Sequence, residues 1–133
     1  MRPRTRAAFL ALVMTQGAHS LEEFFFGLYE VFSPAASASR LVSDNAALGF
    51  AILNSLFFAF GVWCYVCRVR PDRPSALYWM WPWVLVSLGN GVVHPTMAAV
   101  RGGYFPGVAT APFLFVLAVF IARDLMRASR SSP

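Results

Sequence analysis

The stretch AALGFAILNSLFFAFGVWCYVCRV, residues 46–69, decides the fold class. Apart from Asn54 and Ser55 it carries almost nothing polar until Arg68 near its end. A helix needs roughly 20 consecutive apolar residues to cross a bilayer core about 30 Å thick. Residues 46–69 are therefore predicted to form a membrane-spanning helix.

Three other apolar stretches have a similar length, and Pro, Gly and Ser are frequent between them. They are Ala7–Tyr29, Ser75–Val100 and Gly107–Met126. All are too long and too continuous for the strands of a membrane barrel, which alternate over about ten residues. We predict an all-α fold, an integral membrane four-helix bundle that forms a single transmembrane domain over residues 1–133.

The composition excludes a water-soluble globular domain. Of the 133 residues, 58% are apolar and 13% are charged, whereas soluble domains usually have about 25% charged residues. The two cysteines, Cys64 and Cys67, are too few for a disulfide framework. Their CxxC spacing lacks further metal ligands, so we interpret them as apolar neighbours on one helix.

The arginines predict the orientation, because cationic residues beside membrane helices stay on the cytoplasmic side. Nine arginines lie before the first span, between the second and third, or after the fourth: Arg2, Arg4, Arg6, Arg68, Arg70, Arg73, Arg123, Arg127 and Arg130. Two, Arg40 and Arg101, lie in the other connections. Both termini should be cytoplasmic, and the chain should be a multi-pass protein of the inner (plasma) membrane. Because the net charge of +5 sits at helix ends, we expect membrane lipid as a partner and no nucleic acid.

Two features of the sequence bear on its processing and origin. Arg2, Arg4 and Arg6 before an apolar run resemble the start of a signal peptide. Cleavage after Ala18 would need a small residue where Gln16 stands, so we expect the first span to be retained. The use of arginine without lysine and the high alanine content are typical of a GC-rich bacterial gene.

Polar residues recur at one level inside the predicted spans. They are His19, Glu22 and Glu23 in the first span, Asn54 in the second, Asn90 and His94 in the third, and Thr110 in the fourth. Ionisable groups in a membrane cost a few kcal/mol each, and spacings of three and four place helical residues on one face. At about 1.5 Å of rise per residue, most of these residues reach a similar depth in the outer half. We predict one shared polar site there.

The string His19-Ser20-Leu21-Glu22-Glu23 resembles the signature of the HXXEE family of small membrane proteins. Asn90-Gly91-Val92-Val93-His94, followed by residues 104–111, is similar to the second conserved block of that family. The resemblance covers most of the chain in order and spacing. It implies a site at His19, Glu22, Glu23, Asn90 and His94, and it supplies no reaction.

The residue types of this site suit two kinds of catalysis. His19, Glu22, Glu23 and His94 could hold one divalent metal, zinc or iron. The same carboxyls and imidazoles could instead act without metal as general acids and bases, with Asn90 as an orienting donor. We therefore predict a membrane-embedded enzyme that hydrolyses, isomerises or cyclises a small lipophilic molecule.

Other functions use the same residues. A small proton-coupled carrier or a lipid-binding membrane subunit would also place Glu and His at depth, and a homodimer could supply the symmetry that carriers use. A purely structural hydrogen-bond cluster is a further alternative, although such bonds contribute only about 0.6 kcal/mol on average in membranes.

The surroundings of the predicted site suggest how a ligand would be bound. Phe24–Phe26 could line a lateral pocket, although aromatic residues, Trp81 and Trp83 included, more often form a membrane-interface belt. Pro95 should bend the third helix and could open space beside His94. In the loop Arg101-Gly102-Gly103-Tyr104, the tyrosine could cover the polar cluster with its hydroxyl, or simply anchor the loop at the interface.

Overall fold

Long helices account for most of the structure, a computed structural model that describes the backbone of residues 1–130 and the side chains of residues 1–128. Six α-helices follow one another: α1 (Pro3–Phe25), α2 (Leu28–Val31), α3 (Ser33–Arg40), α4 (Ala46–Cys64), α5 (Ala76–Arg101) and α6 (Ala111–Arg130). A π-helical turn, Tyr65–Val69, continues α4. No residue among 1–130 lies in a strand, which confirms the all-α prediction. Residues 131–133 and the side chains of Ser129 and Arg130 lie outside the described part.

Two of the four predicted spans have the length and apolar character that crossing a membrane requires. These are Ala46–Val69 and Ala76–Arg101. The helices α1 and α6 are also long, but arginines, glutamates and an aspartate lower their hydropathy. In the described residues α6 packs against α5 and α1, and α1 packs against α4. The four long helices thus contact one another as a bundle.

The first predicted span ends four residues earlier than the sequence suggested. Gly27 takes the left-handed conformation with a φ of +69°, which ends the α1 segment and starts the short helix α2. The following residues, expected to be an irregular connection, form the helix α3 with Pro34 in its first turn. α3 contacts α4, and α2 contacts α1 and α4.

The fourth helix starts at Ala111 and not at Gly107. Gly102 ends α5 with a φ of +68°, and Gly107 has a φ of +91°, so residues 102–110 form a folded loop. α5 itself continues from Ala76 to Arg101 through Pro82 and Pro95. One turn before Pro95, at Gly91, the helix leaves no open space, because an added Cβ would lie 2.5 Å from Phe115 Cβ.

The larger of the two apolar core clusters lies in the half of the bundle that contains the chain's N-terminal residues. Trp83 is fully buried there, stacks on Phe57 at 4.2 Å, and meets the Phe9 ring edge-on at 6.3 Å. The interpretation of Trp83 as part of an interface belt is therefore wrong. Gly61 lets α4 approach this ring, since an added Cβ would lie 2.6 Å from it.

Candidate functional site

Two helices bring two imidazoles and one carboxylate together in the other half of the bundle. His19 and Glu23 lie one turn apart on α1, and His94 faces them from α5. Glu23 Oε1 lies 3.3 Å from His19 Nε2 and 3.2 Å from His94 Nε2. The two rings meet edge-on with centroids 4.7 Å apart. All three residues are buried, and His19 is completely inaccessible.

The loop before α6 fixes the orientation of His94. His94 Nδ1 lies 2.6 Å from the carbonyl oxygen of Pro106. A carbonyl can only accept, so Nδ1 carries the hydrogen and donates it. In the neutral ring, Nε2 then has a lone pair, and this lone pair faces Glu23.

Gly107 brings the same loop directly against both imidazoles. An added Cβ would lie 2.6 Å from His94 Nδ1 and 2.7 Å from His19 Cε1. Its φ of +91° is also a conformation that other residues rarely adopt. This position therefore needs glycine for backbone conformation and for space.

Glu22, the neighbour of Glu23, binds the loop and not the pair of histidines. Its Oε1 accepts from the Tyr104 hydroxyl at 2.5 Å and from the Ala109 amide at 3.0 Å. Its Oε2 accepts from the Thr110 amide at 3.0 Å and from the Thr110 hydroxyl at 2.6 Å. Both oxygens are thus engaged, and the carboxylate sits at the N-terminal end of α6, where negative charge is favourable.

Thr110 and Tyr104 join Glu22 to its surroundings on two sides. The Thr110 hydroxyl oxygen also lies 2.7 Å from His19 Nδ1, so it connects Glu22 to the buried ring. Tyr104 is half-exposed, and its ring lies tilted against that of Phe26, with the centroids 4.9 Å apart. Partial burial and the bond to the carboxylate raise the pKa of the Tyr104 hydroxyl above its ordinary value of 10.0, so that it stays protonated and able to donate in alkaline solution as well. This contact between the Tyr104 hydroxyl and Glu22 agrees with the interpretation that the tyrosine covers the polar cluster.

Asn90 lies outside the histidine centre. It is one turn from His94 on α5, and its amide donates to Gln16 Oε1 at 3.4 Å. Gln16 in turn lies 3.5 Å from the Ser20 hydroxyl, which donates to Asn54 Oδ1 at 2.8 Å. A row of polar side chains therefore crosses from α5 through α1 to α4 beside the centre.

A lateral cleft of about 420 Å³ opens between α1 and α4. Its walls are mostly apolar, and the Ser20–Asn54 pair lies within them. The lining residues are Gly17, Ser20, Leu21, Phe24, Phe50, Ala51, Asn54, Ser55 and Phe58. Of the three phenylalanines predicted to line a pocket, Phe24 does so, whereas Phe25 and Phe26 are exposed on the surface.

Several contributors to the site were missed by sequence reasoning. The Pro106 carbonyl acts through the backbone, which leaves no signal in residue type. Gln16 and Ser20 could have been found, because they share the helical face of Glu23. A second polar cluster, in which the buried Asp124 accepts from Thr5 at 2.7 Å, lies in the half of the bundle where none was expected.

The centre fits a single metal ion in its donor chemistry and spacing. One ligand atom from each of His19, Glu23 and His94 can be chosen so that all lie within 4.8 Å of one another. In a tetrahedral zinc site with bonds of about 2.1 Å, ligand atoms are about 3.4 Å apart. The two His–Glu23 distances, 3.2 and 3.3 Å, are close to this value. Glu22, also predicted as a ligand, is outside this group because adjacent helical residues point about 100° apart.

Comparison with known proteins gives the family of the chain. No curated protein and no solved structure matches it. Residues 8–122 match the family described as proteins of unknown function with an HXXEE motif. This range contains the histidine centre, the loop above it and the cleft. With most of its length matched, the chain belongs to the HXXEE family.

Proposed function

We propose that the chain is a metal-dependent enzyme embedded in a bacterial inner membrane, with α1, α4, α5 and α6 as its four spans and both termini cytoplasmic. Two observations support the membrane location. The apolar windows of α4 and α5 are only 17% and 22% buried within the chain, unlike core helices of soluble proteins. Nine of the eleven arginines lie at the chain segments that this topology places on the cytoplasmic side, and two lie in the other connections.

The metal proposal rests on one observation, the convergence of both Nε2 atoms on a single oxygen of Glu23. His94 presents a lone pair there, because its Nδ1 donates to Pro106. His19 Nε2 is buried and makes no well-aligned hydrogen bond among the described residues, although Glu23 Oε1 lies 3.3 Å away. A nitrogen lone pair and a carboxylate oxygen repel each other at such a distance, and a cation placed between them removes this repulsion. A divalent cation satisfies all three atoms at once.

Two histidines and one carboxylate form a ligand set that is typical of catalytic metal sites. Zinc enzymes use this set with a fourth position left for water or substrate, and non-haem iron enzymes use it as a facial triad. We propose zinc or iron bound by His19, Glu23 and His94. The metal would polarise a substrate oxygen or activate bound water, which suits hydrolysis, isomerisation or cyclisation.

The substrate is proposed to be a small lipophilic molecule that enters from the lipid. The cleft between α1 and α4 has a volume within the range of small-molecule pockets, about 300–1,000 Å³. No charged side chain lines it, so it favours a neutral ligand. The Ser20–Asn54 pair could hydrogen-bond a single polar group on that ligand.

Metal analysis of the purified protein tests the proposal. We expect about one zinc or iron per chain, lost in the His19→Ala, Glu23→Ala and His94→Ala variants. Asn90→Ala is the matched control, since Asn90 is on the same helix as His94 but contacts Gln16. A wild-type protein that stays folded, is purified without chelators and binds no added zinc or iron would refute metal dependence.

In that event the same geometry favours a proton shared between Glu23 and the histidines. An acid-base enzyme and a proton-coupled carrier would then remain, and turnover in detergent would separate them. An enzyme converts its substrate there, whereas a carrier needs a sealed vesicle and leaves its cargo unchanged.

A further inference from the structure

The two histidines of the centre are oriented by different kinds of partner. His94 donates to a backbone carbonyl, which cannot act as a donor. His19 Nδ1 instead lies 2.7 Å from the Thr110 hydroxyl. A hydroxyl can donate or accept, so this contact alone does not determine which nitrogen of His19 carries the hydrogen.

Glu22 decides the direction of that hydroxyl. The Thr110 hydroxyl has one hydrogen to donate. Two acceptors besides His19 lie near it: Glu22 Oε2 at 2.6 Å and the Gly107 carbonyl oxygen at 3.4 Å, so Glu22 is the nearer. An ionised carboxylate can only accept. The Tyr104 hydroxyl and the backbone amides of Ala109 and Thr110 also donate to Glu22, so three donors besides the Thr110 hydroxyl already use both of its oxygens as acceptors. Thr110 therefore donates to Glu22 and accepts from His19.

We propose that Glu22 and Thr110 are positioning residues that fix His19 as the tautomer with hydrogen on Nδ1, so that its Nε2 lone pair faces Glu23 and the metal. The role of this tautomer in metal binding rests on the proposed function. The two glutamates of the motif then have separate tasks: Glu23 binds the metal, and Glu22 sets the chemical form of a ligand. Groups that hold metal-bound histidines in this way also increase their basicity as ligands.

The tautomer can be read directly, because the chain contains two histidines. We would label both with ¹⁵N and record NMR spectra of the metal-free protein at alkaline pH, where imidazoles are neutral. Wild type and Thr110→Ser should show hydrogen on Nδ1 of His19. Thr110→Val, which has the same shape but no hydroxyl, should move it to Nε2. His94 should keep hydrogen on Nδ1 in all three proteins and so reports an intact fold.

Either of two results overturns the inference: hydrogen on Nε2 of His19 in the wild type, or a Thr110→Val spectrum identical to that of wild type. Should valine also shift the His94 signal, Thr110→Ala repeats the test without a bulky side chain. Zinc titration is the second readout. We expect roughly a 10- to 100-fold loss of affinity in Thr110→Val and wild-type affinity in Thr110→Ser. A wild type with the expected tautomers that binds neither zinc nor iron would refute the proposed metal dependence and not the tautomer assignment.

Discussion

Replacing Gly107 with alanine should weaken the metal binding that we propose for the histidine centre. The new Cβ would lie about 0.8 Å inside the 3.4 Å limit of ordinary contact with His94 Nδ1, and nearly as far inside it with His19 Cε1. Metal ligands tolerate errors of about 0.2 Å, so at least one imidazole moves out of range. We expect metal affinity to fall by at least about 10- to 100-fold.

The same substitution should also lower the free energy of unfolding. A positive φ costs a residue with a side chain about 1–2 kcal/mol. Each displaced hydrogen bond, His94 to Pro106 and His19 to Thr110, contributes about 0.5–1.5 kcal/mol. The expected loss is therefore about 2–5 kcal/mol, which thermal unfolding in detergent would detect.

Substitutions at two other glycines of the loop separate the effect of the steric contact from the cost of a positive φ. Gly102 also has a positive φ, +68°, but an added Cβ would meet nothing within 4 Å. Gly102→Ala should lose about 1–2 kcal/mol and keep its metal. Gly103 has open space and no positive φ, so Gly103→Ala should resemble wild type in both measurements. Wild-type metal affinity in Gly107→Ala would refute the inferred contact between the loop and the imidazoles.

Two further predictions concern the cleft and the outer hydrogen bond. Ala51→Trp should fill the cleft and abolish photolabelling of α1 and α4 by a diazirine-bearing fatty ketone, whereas Ala59→Trp, on the exposed face of the same helix, should not; equal labelling of both would contradict the cleft as a ligand site. Tyr104→Phe should lower stability by about 1 kcal/mol at neutral pH, less than a fully buried bond to a charged group because Tyr104 is half-exposed. Because the folded-state pKa of Tyr104 is raised above its ordinary 10.0, unfolding curves should show this advantage of wild type intact below pH 10 and shrinking above it; a difference that stays constant would exclude the bond to Glu22.

The helices that depend on local composition could be predicted from the sequence. The apolar run at 46–69 begins behind Asn45, whose side chain accepts from the Leu48 amide, and the predicted and observed bounds agree. The third helix agrees to within one residue. The helix α3 was missed because its eight residues are mainly small and polar, with no long apolar face. α6 was started too early because residues 107–110 are apolar or small, and a positive φ at Gly107 is a tertiary property.

The candidate site was predictable where helical spacing determines it. The four-residue interval between His19 and Glu23 placed them on one face, and depth placed His94 opposite. Spacing also grouped Asn90 with His94, but a full turn along α5 carries Asn90 to the level of Gln16. The separate position of Glu22 depends on the fold of residues 104–110, which no local pattern specifies.

The partners of Glu22 have a consequence for how the chain is made. Thr110 lies 88 residues after Glu22 in the chain. His94, which faces Glu23, is likewise synthesised long after it. At about 5–20 residues per second, a ribosome needs roughly 4–18 s to supply those partners. During this interval the nascent α1 holds Glu22 without its hydrogen-bond donors and Glu23 without the imidazole of His94. Under the proposed topology, stable insertion of the first helix is expected to wait for the last, and truncation before residue 110 should leave α1 outside the bilayer core.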